Sequence, residues 1–167
     1  IAAWVDSLNL ILSYPAEAVL PGHTKAIIGY DQVQEVLGNF KDAIEFILLE
    51  TLKCMNKGMS ESETVSAVVL PQIWADLPYL GEFYGTVEWS VRSVYHGYFG
   101  WFDGNPTHLA QLSDETFDTK LFSMMGEEKM ESEIRTALNE ENYQMAVQLC
   151  DILLNAKVDI QKYKKLK

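Results

Sequence analysis

The run Val19-Leu20-Pro21-Gly22-His23 ends a short apolar segment abruptly on a histidine. Proline and glycine break the segment there, so the imidazole is delivered into a loop. Taken alone, a histidine in that position suits either a hydrogen-bonded structural role or a place in a metal's coordination shell. A second concentration of chemistry-bearing side chains lies in residues 81–106, where Tyr84, Tyr95 and Tyr98 stand among Phe, Trp and Gly. Rings at helical spacing usually bury themselves with only the hydroxyl satisfied. Arg92 is the one cation in that segment, which points to a buried salt bridge or a cation–π contact. His96 and His108 lack paired ligand spacing and read as structural or surface residues. Cys54 and Cys150 each fall inside a helical pattern with no CxxC neighbour, which reads as two buried free thiols.

The elements that must position these groups are mostly helices. Trp4, Leu8, Ile11 and Leu12 recur at helical spacing until Pro15 breaks the pattern, and residues 18–20 read as a brief buried strand leading into the histidine loop. From Val33 to Met55 one broad amphipathic stripe spans about residues 31–57, with Gly58 placed to end it. Ser60 followed by Glu63 is a capping-box signature for a shorter helix carrying Val65, Val68 and Val69, closed by Pro71. An irregular stretch bracketed by Pro71 and Pro78 follows. Val87, Val91, Val94, Tyr95 and Tyr98 then share a helical face, residues 100–106 form a loop, and Asp103-Gly104-Asn105-Pro106 reads as a turn whose side chains bond their own backbone. Ser113 caps a helix bearing Phe117, Leu121, Phe122 and Met125, and Gly126 punctuates it. A helical hairpin over about 127–138 and 143–154 resembles one tetratricopeptide-like unit, which must stack on other helices because it cannot cover its own apolar face. Glu127, Glu128, Glu131 and Glu133 read as a solvated helix face, and Lys162, Lys164, Lys165 and Lys167 as a short basic tail.

Composition bounds the function. In 167 residues, 48% hydrophobic and 22% charged, there is room for one moderate core with a small appendage. A net charge of -11 repels a phosphate backbone, so nucleic acid is excluded as a partner. No apolar run reaches the roughly 20 residues that span a bilayer. The opening inside a helical pattern, without an initiator methionine, reads as a portion of a longer protein. Acidic surface and free thiols are compatible with any compartment, and localisation stays open.

Helix, strand and Pro-Gly-His loop, in that order, resemble the close of the catalytic domain in the metallo-β-lactamase superfamily. Phe83-Tyr84-Gly85-Thr86-Val87 and Tyr98-Phe99-Gly100-Trp101-Phe102-Asp103-Gly104-Asn105-Pro106 resemble the hallmark segments of the zinc-dependent alkylsulfatases. Lys41-Asp42-Ala43-Ile44, Met55-Asn56-Lys57-Gly58 and Asn142-Tyr143-Gln144 are similar to the same family, so the likeness covers almost the whole chain. It implies a mainly α fold: an all-helical dimerisation domain at residues 31–167 that includes the tetratricopeptide-like hairpin. Before it, residues 1–30 would be a helix-strand remnant of the αββα catalytic domain.

For chemistry, the resemblance implies that His23 is the last ligand of a binuclear zinc site, the sole ligand this chain contributes. Neutral imidazole suits zinc in a site that keeps an open position. Tyr84, Tyr95 and Tyr98 are candidates to contact the sulfate or line an alkyl channel. Implied partners are a second copy in a homodimer, the remaining catalytic domain and a lid domain, and an alkyl sulfate substrate. Two other functions remain open at this point: a lactamase-fold hydrolase acting on another ester or thioester, and a freestanding helical-repeat interaction module.

Overall fold

The computed structural model describes residues 1–167, which divide into two compact units, Ile1–Asn105 and Pro106–Lys167. In the first, α1 (Ala2–Leu12) turns Val5 and Leu8 inward against α2 (Tyr30–Asn56), and Trp4 meets Phe40 edge-on at 5.6 Å. Between these helices β1 (Ala18–Val19) pairs antiparallel with β2 (Ile27–Ile28), in the register Ala18↔Ile28 and Val19↔Ile27. The expected strand forms over two residues with a partner that follows it in the chain, but it is not buried: Val19 is half-buried and Leu20, expected within the strand, lies beyond it and is 81% exposed. A strand of two residues is too short to show an alternation in the sequence, which is why β2 is invisible there.

Gly29 joins this hairpin to α2 with φ 101°, a backbone state that side chains disfavour, and its N–H donates to the Glu17 carbonyl at 2.8 Å. α2 then follows the expected stripe, burying Val33, Ala43, Ile47, Leu48 and Cys54, and Gly58 sits just past its end at φ 76°. α3 (Glu61–Ala67) begins with the capping box: Ser60 accepts from the Glu63 N–H at 3.3 Å, and the Glu63 carboxylate accepts from the Ser60 N–H at 2.8 Å. α3 stops at Ala67, short of the Val68 and Val69 that the expected helix carries; Val68 is buried while Val69 is 72% exposed. α4 (Gln72–Ala75) is a single turn inside the stretch read as irregular. α5 (Val87–Phe99) is capped by Thr86, which accepts from the Trp89 N–H at 3.0 Å. Its Val91 meets Ile47, Cys54 and Val68 in the core of this unit.

In the second unit, α6 (Asp114–Met125), α7 (Glu127–Asn139), α8 (Tyr143–Asn155) and α9 (Ile160–Leu166) surround Met130, Ile134, Ala137, Ala146, Cys150, Leu153 and Tyr163. Full burial of a side chain such as Leu153 contributes roughly 1.5–3 kcal/mol. The α7–α8 hairpin ends within a residue of its expected bounds, and α6 packs beside it on α8. The basic tail is a helix. Tyr163, wholly buried, anchors it, its hydroxyl donating to Glu131 at 2.6 Å and to Glu127 at 3.3 Å, while Lys162 pairs with Glu131. Glu131 is thus a partly buried acceptor for α9 rather than part of a solvated acidic face. Cys54 and Cys150 are buried free thiols, as the sequence suggests.

Candidate functional site

His23 lies exposed in the loop over residues 20–26 that closes the β1–β2 hairpin. Its position depends on two short constraints: the two-residue ladder and the Gly29 contact at its base. Tyr84, distant in sequence, comes up beside it. The two ring centroids are 5.7 Å apart with planes at 36°, and Tyr84 is 86% exposed.

Tyr84 is carried by the segment between a 3-10 turn at Pro78–Leu80 and the start of α5. Two local features shape that segment. The Phe83 ring folds back over Gly81, where a Cβ would fall 2.7 Å from it and push the exposed ring aside. The Glu82 carboxylate accepts from the Val87 N–H at 2.7 Å, placing a negative charge at the amino end of α5 where free N–H groups point. Tyr84 is therefore held between a backbone fold and a helix start, with its phenol left in solvent.

The other two tyrosines are placed differently. Tyr95 is 2% exposed, stacks on Phe99 at 4.9 Å and donates its hydroxyl to the Met59 carbonyl at 3.1 Å. Burial first, and then the negative charges of Asp103, Glu61 and Glu63, push its phenol pKa up, so it stays neutral. Tyr98 sits in the last turn of α5, 60% exposed. The structure thus brings Tyr84 to His23, turns Tyr95 into the core and leaves Tyr98 on the surface.

Arg92 is a half-exposed ion-pair hub rather than a buried one. Its Nη1 meets Glu61 at 2.8 Å, and Nε and Nη2 meet Glu88 at 2.9 and 2.7 Å. Glu61, followed by Glu88, raises the guanidinium pKa. His96 Nε2 lies 3.3 Å from the same Glu61 oxygen, and its Nδ1 is 3.4 Å from the Gly100 carbonyl. Glu61 is the residue that sequence reasoning passed over here; its only signal was a place in the first turn of a capped helix, where acidic residues are favoured. The Asp103 carboxylate accepts from the Asn105 N–H at 3.0 Å, the self-bonded turn expected of Asp-Gly-Asn-Pro.

No group of three or more His, Cys, Asp or Glu side chains in the chain could hold a metal ion. The donor set this chain can offer a metal at the hairpin is a single imidazole.

A family model described as alkyl sulfatase dimerisation matches residues 60–167. A linear primary-alkylsulfatase from a Pseudomonas strain is 40% identical over 124 residues, covering 74% of this chain and 24% of the relative. An (R)-specific secondary-alkylsulfatase from Pseudomonas is 30% identical over 157 residues, covering 93% of this chain and 24% of the relative. An alkyl/aryl-sulfatase of Saccharomyces cerevisiae is 26% identical over 129 residues, covering 75% and 19%. The chain therefore spans about a fifth to a quarter of the length of the curated relatives it matches. Among solved structures, a double mutant of the sec-alkylsulfatase PisA1 aligns over 98% of this chain and 27% of its own, at 27% identity and a TM-score of 0.90.

Proposed function

The chain belongs to the alkyl sulfatase dimerisation family, and on that premise we propose that it serves as the self-association portion of a zinc-dependent sulfate ester hydrolase. The observation that carries the reading is the family match over residues 60–167, which takes in α3 to α9. The relatives' names support an alkyl sulfate as the substrate class, and the family's description supports self-association as a homodimer. In this reading residues 1–30 are the edge of the catalytic domain and residues 31–167 the dimerisation domain.

Support for a catalytic contribution is the exposed imidazole of His23 on its hairpin, a single donor that fits one place in a ligand set completed by residues outside this chain. Bound zinc would lower the pKa of a coordinated water so that hydroxide is available near neutral pH. The part played by this chain's own residues is positional: the β1–β2 ladder aims His23, and Tyr84 packs against the imidazole and limits its rotation. The Tyr84 hydroxyl is free to donate to a sulfate oxygen, and Tyr98 is exposed enough to line an alkyl path. Tyr95, its hydroxyl engaged by Met59, supports the helix that carries Tyr98.

The experiment is the zinc content and dodecyl sulfate turnover of the full-length protein, with and without His23→Ala. Loss of about half the bound zinc together with sulfate release is the expected result. Unchanged metal and turnover would reduce the hairpin to architecture and leave self-association as the chain's contribution.

A further inference from the structure

α5 is centred on Ser93, with Val87 and Phe99 at equal distances on either side. Stepping by four from that centre gives Gly85, Trp89, Ser93, Gly97 and Trp101. Within the helix such residues form one ridge. The ridge faces away from Val91, Val94 and Tyr95, which are buried, and it is unpartnered: Trp89 is 60% exposed and Trp101, just past the helix, 74%.

A side chain at Gly97 or Gly85 would meet nothing within 4 Å, so neither glycine is needed for packing inside this chain. An exposed glycine in a helix interior destabilises it by about 1 kcal/mol relative to alanine. The only other glycine inside a helix, Gly38 of α2, is half-buried.

The ridge is complementary to itself. An antiparallel second copy related by a two-fold axis at Ser93 sets each residue opposite the one equally far beyond the axis. Trp89 then meets the partner helix at Gly97, so the ring lies over a notch and the backbones can approach closely; Gly85 and Trp101 lie outside α5 and take no part in this pairing. Closed two-fold contacts have this self-matching form. Tryptophan is also the side chain most enriched among residues that dominate association. Two copies carrying -11 each repel over most of their surface, and beside the ridge Arg92 offsets one of the two charges of Glu88 and Glu61.

We propose that the outer face of α5 is an isologous contact with a second copy of this chain, centred on Ser93, with Trp89 seated on the partner's Gly97. The proposal rests on the self-association reading above and adds the surface that performs it. Ser93→Cys in the full-length protein tests it, using a short bis-maleimide; Cys54 and Cys150 are buried and do not compete. A two-fold axis at this position brings the two introduced thiols together, so a covalent dimer should dominate on a denaturing gel. Gly97→Leu, with an unchanged circular dichroism spectrum, should raise the dimer dissociation constant at least tenfold by light scattering. If the protein is dimeric but neither variant responds, the α5 contact is wrong while self-association stands. A full-length protein that is monomeric across the micromolar range would remove both.

Discussion

Replacing Tyr163 should release α9 from the second unit. The ring is wholly buried against the α7–α8 hairpin, and its hydroxyl donates to Glu131 and Glu127. Truncating an aromatic side chain to alanine in a packed core costs roughly 3–5 kcal/mol, a large part of a domain's total stability. Tyr163→Phe keeps the ring and loses only the hydroxyl. Hydrogen bonds to charged groups contribute about 1.5–3 kcal/mol, and Glu131 keeps Lys162 as a partner, so about 1.5 kcal/mol is expected. Urea unfolding of the full-length protein, read with hydrogen exchange at the α9 amides, separates the two. The same residue sets an alkaline limit. Burial first, and then Glu127, push the Tyr163 pKa from 10.0 up to about 12. Because the folded value lies above the unfolded one, this contribution is full below pH 10.0 and is lost as pH rises through about 12, on the order of 3 kcal/mol in all. Tyr163→Phe should flatten stability over that window. An alanine variant within about 1 kcal/mol of the parent, or a phenylalanine variant as damaging as alanine, would show that α9 is not held by this ring.

Two further perturbations address other elements. Ser60→Ala should destabilise α3 by about 1 kcal/mol through loss of its cap. The Ser60 hydroxyl, and then its N–H, hold the Glu63 carboxyl below 4.5, so the capping contribution is present above pH 4.5 and fades as pH falls through the lowered folded value. Hydrogen exchange of α3 amides across that range should lose its pH dependence in the variant. Neither Cys54 nor Cys150 should react with a thiol reagent in the native protein, since both are buried and burial pushes the Cys150 thiol pKa up; both should react in urea. Stoichiometric labelling of the native form would contradict the packing around them.

What the sequence made legible was whatever carried its signal locally. α2 announces itself over seven turns of apolar periodicity, and α3 and α6 through serine caps with a partner residue three positions on. α9 has one local signal, the Asp159 cap, whose carboxylate accepts from the Lys162 N–H at 3.2 Å, and no apolar period. Lysines dominate its sequence and its only buried residue is Tyr163, so its helicity is supported from outside, by Glu127 and Glu131 on α7. Two-residue strands fail for the opposite reason, having too few positions to show any period. At the candidate site, each of His23 and Tyr84 could be marked by type, but their meeting depends on how the β1–β2 loop and the start of α5 come together, which no spacing records. Tyr98 shares a sequence period with Val91 and Tyr95, yet it lies in the last turn of α5 and remains 60% exposed.

Gly29 makes the histidine hairpin and the longest helix one piece of backbone. Its N–H closes the hairpin on Glu17 while its carbonyl accepts the first helical bond from Val33 at 3.0 Å. Length changes on the two sides of it would then have unlike effects. Residues added within 20–26 would alter how far the imidazole reaches and leave α2 where it is. A single residue added between Ile28 and Tyr30 would turn α2 by roughly 100° relative to the hairpin, carrying its buried stripe out of register with α1 and α5. Variation in loop length among chains of this kind should therefore collect on the histidine side of the glycine and be excluded from the helix side.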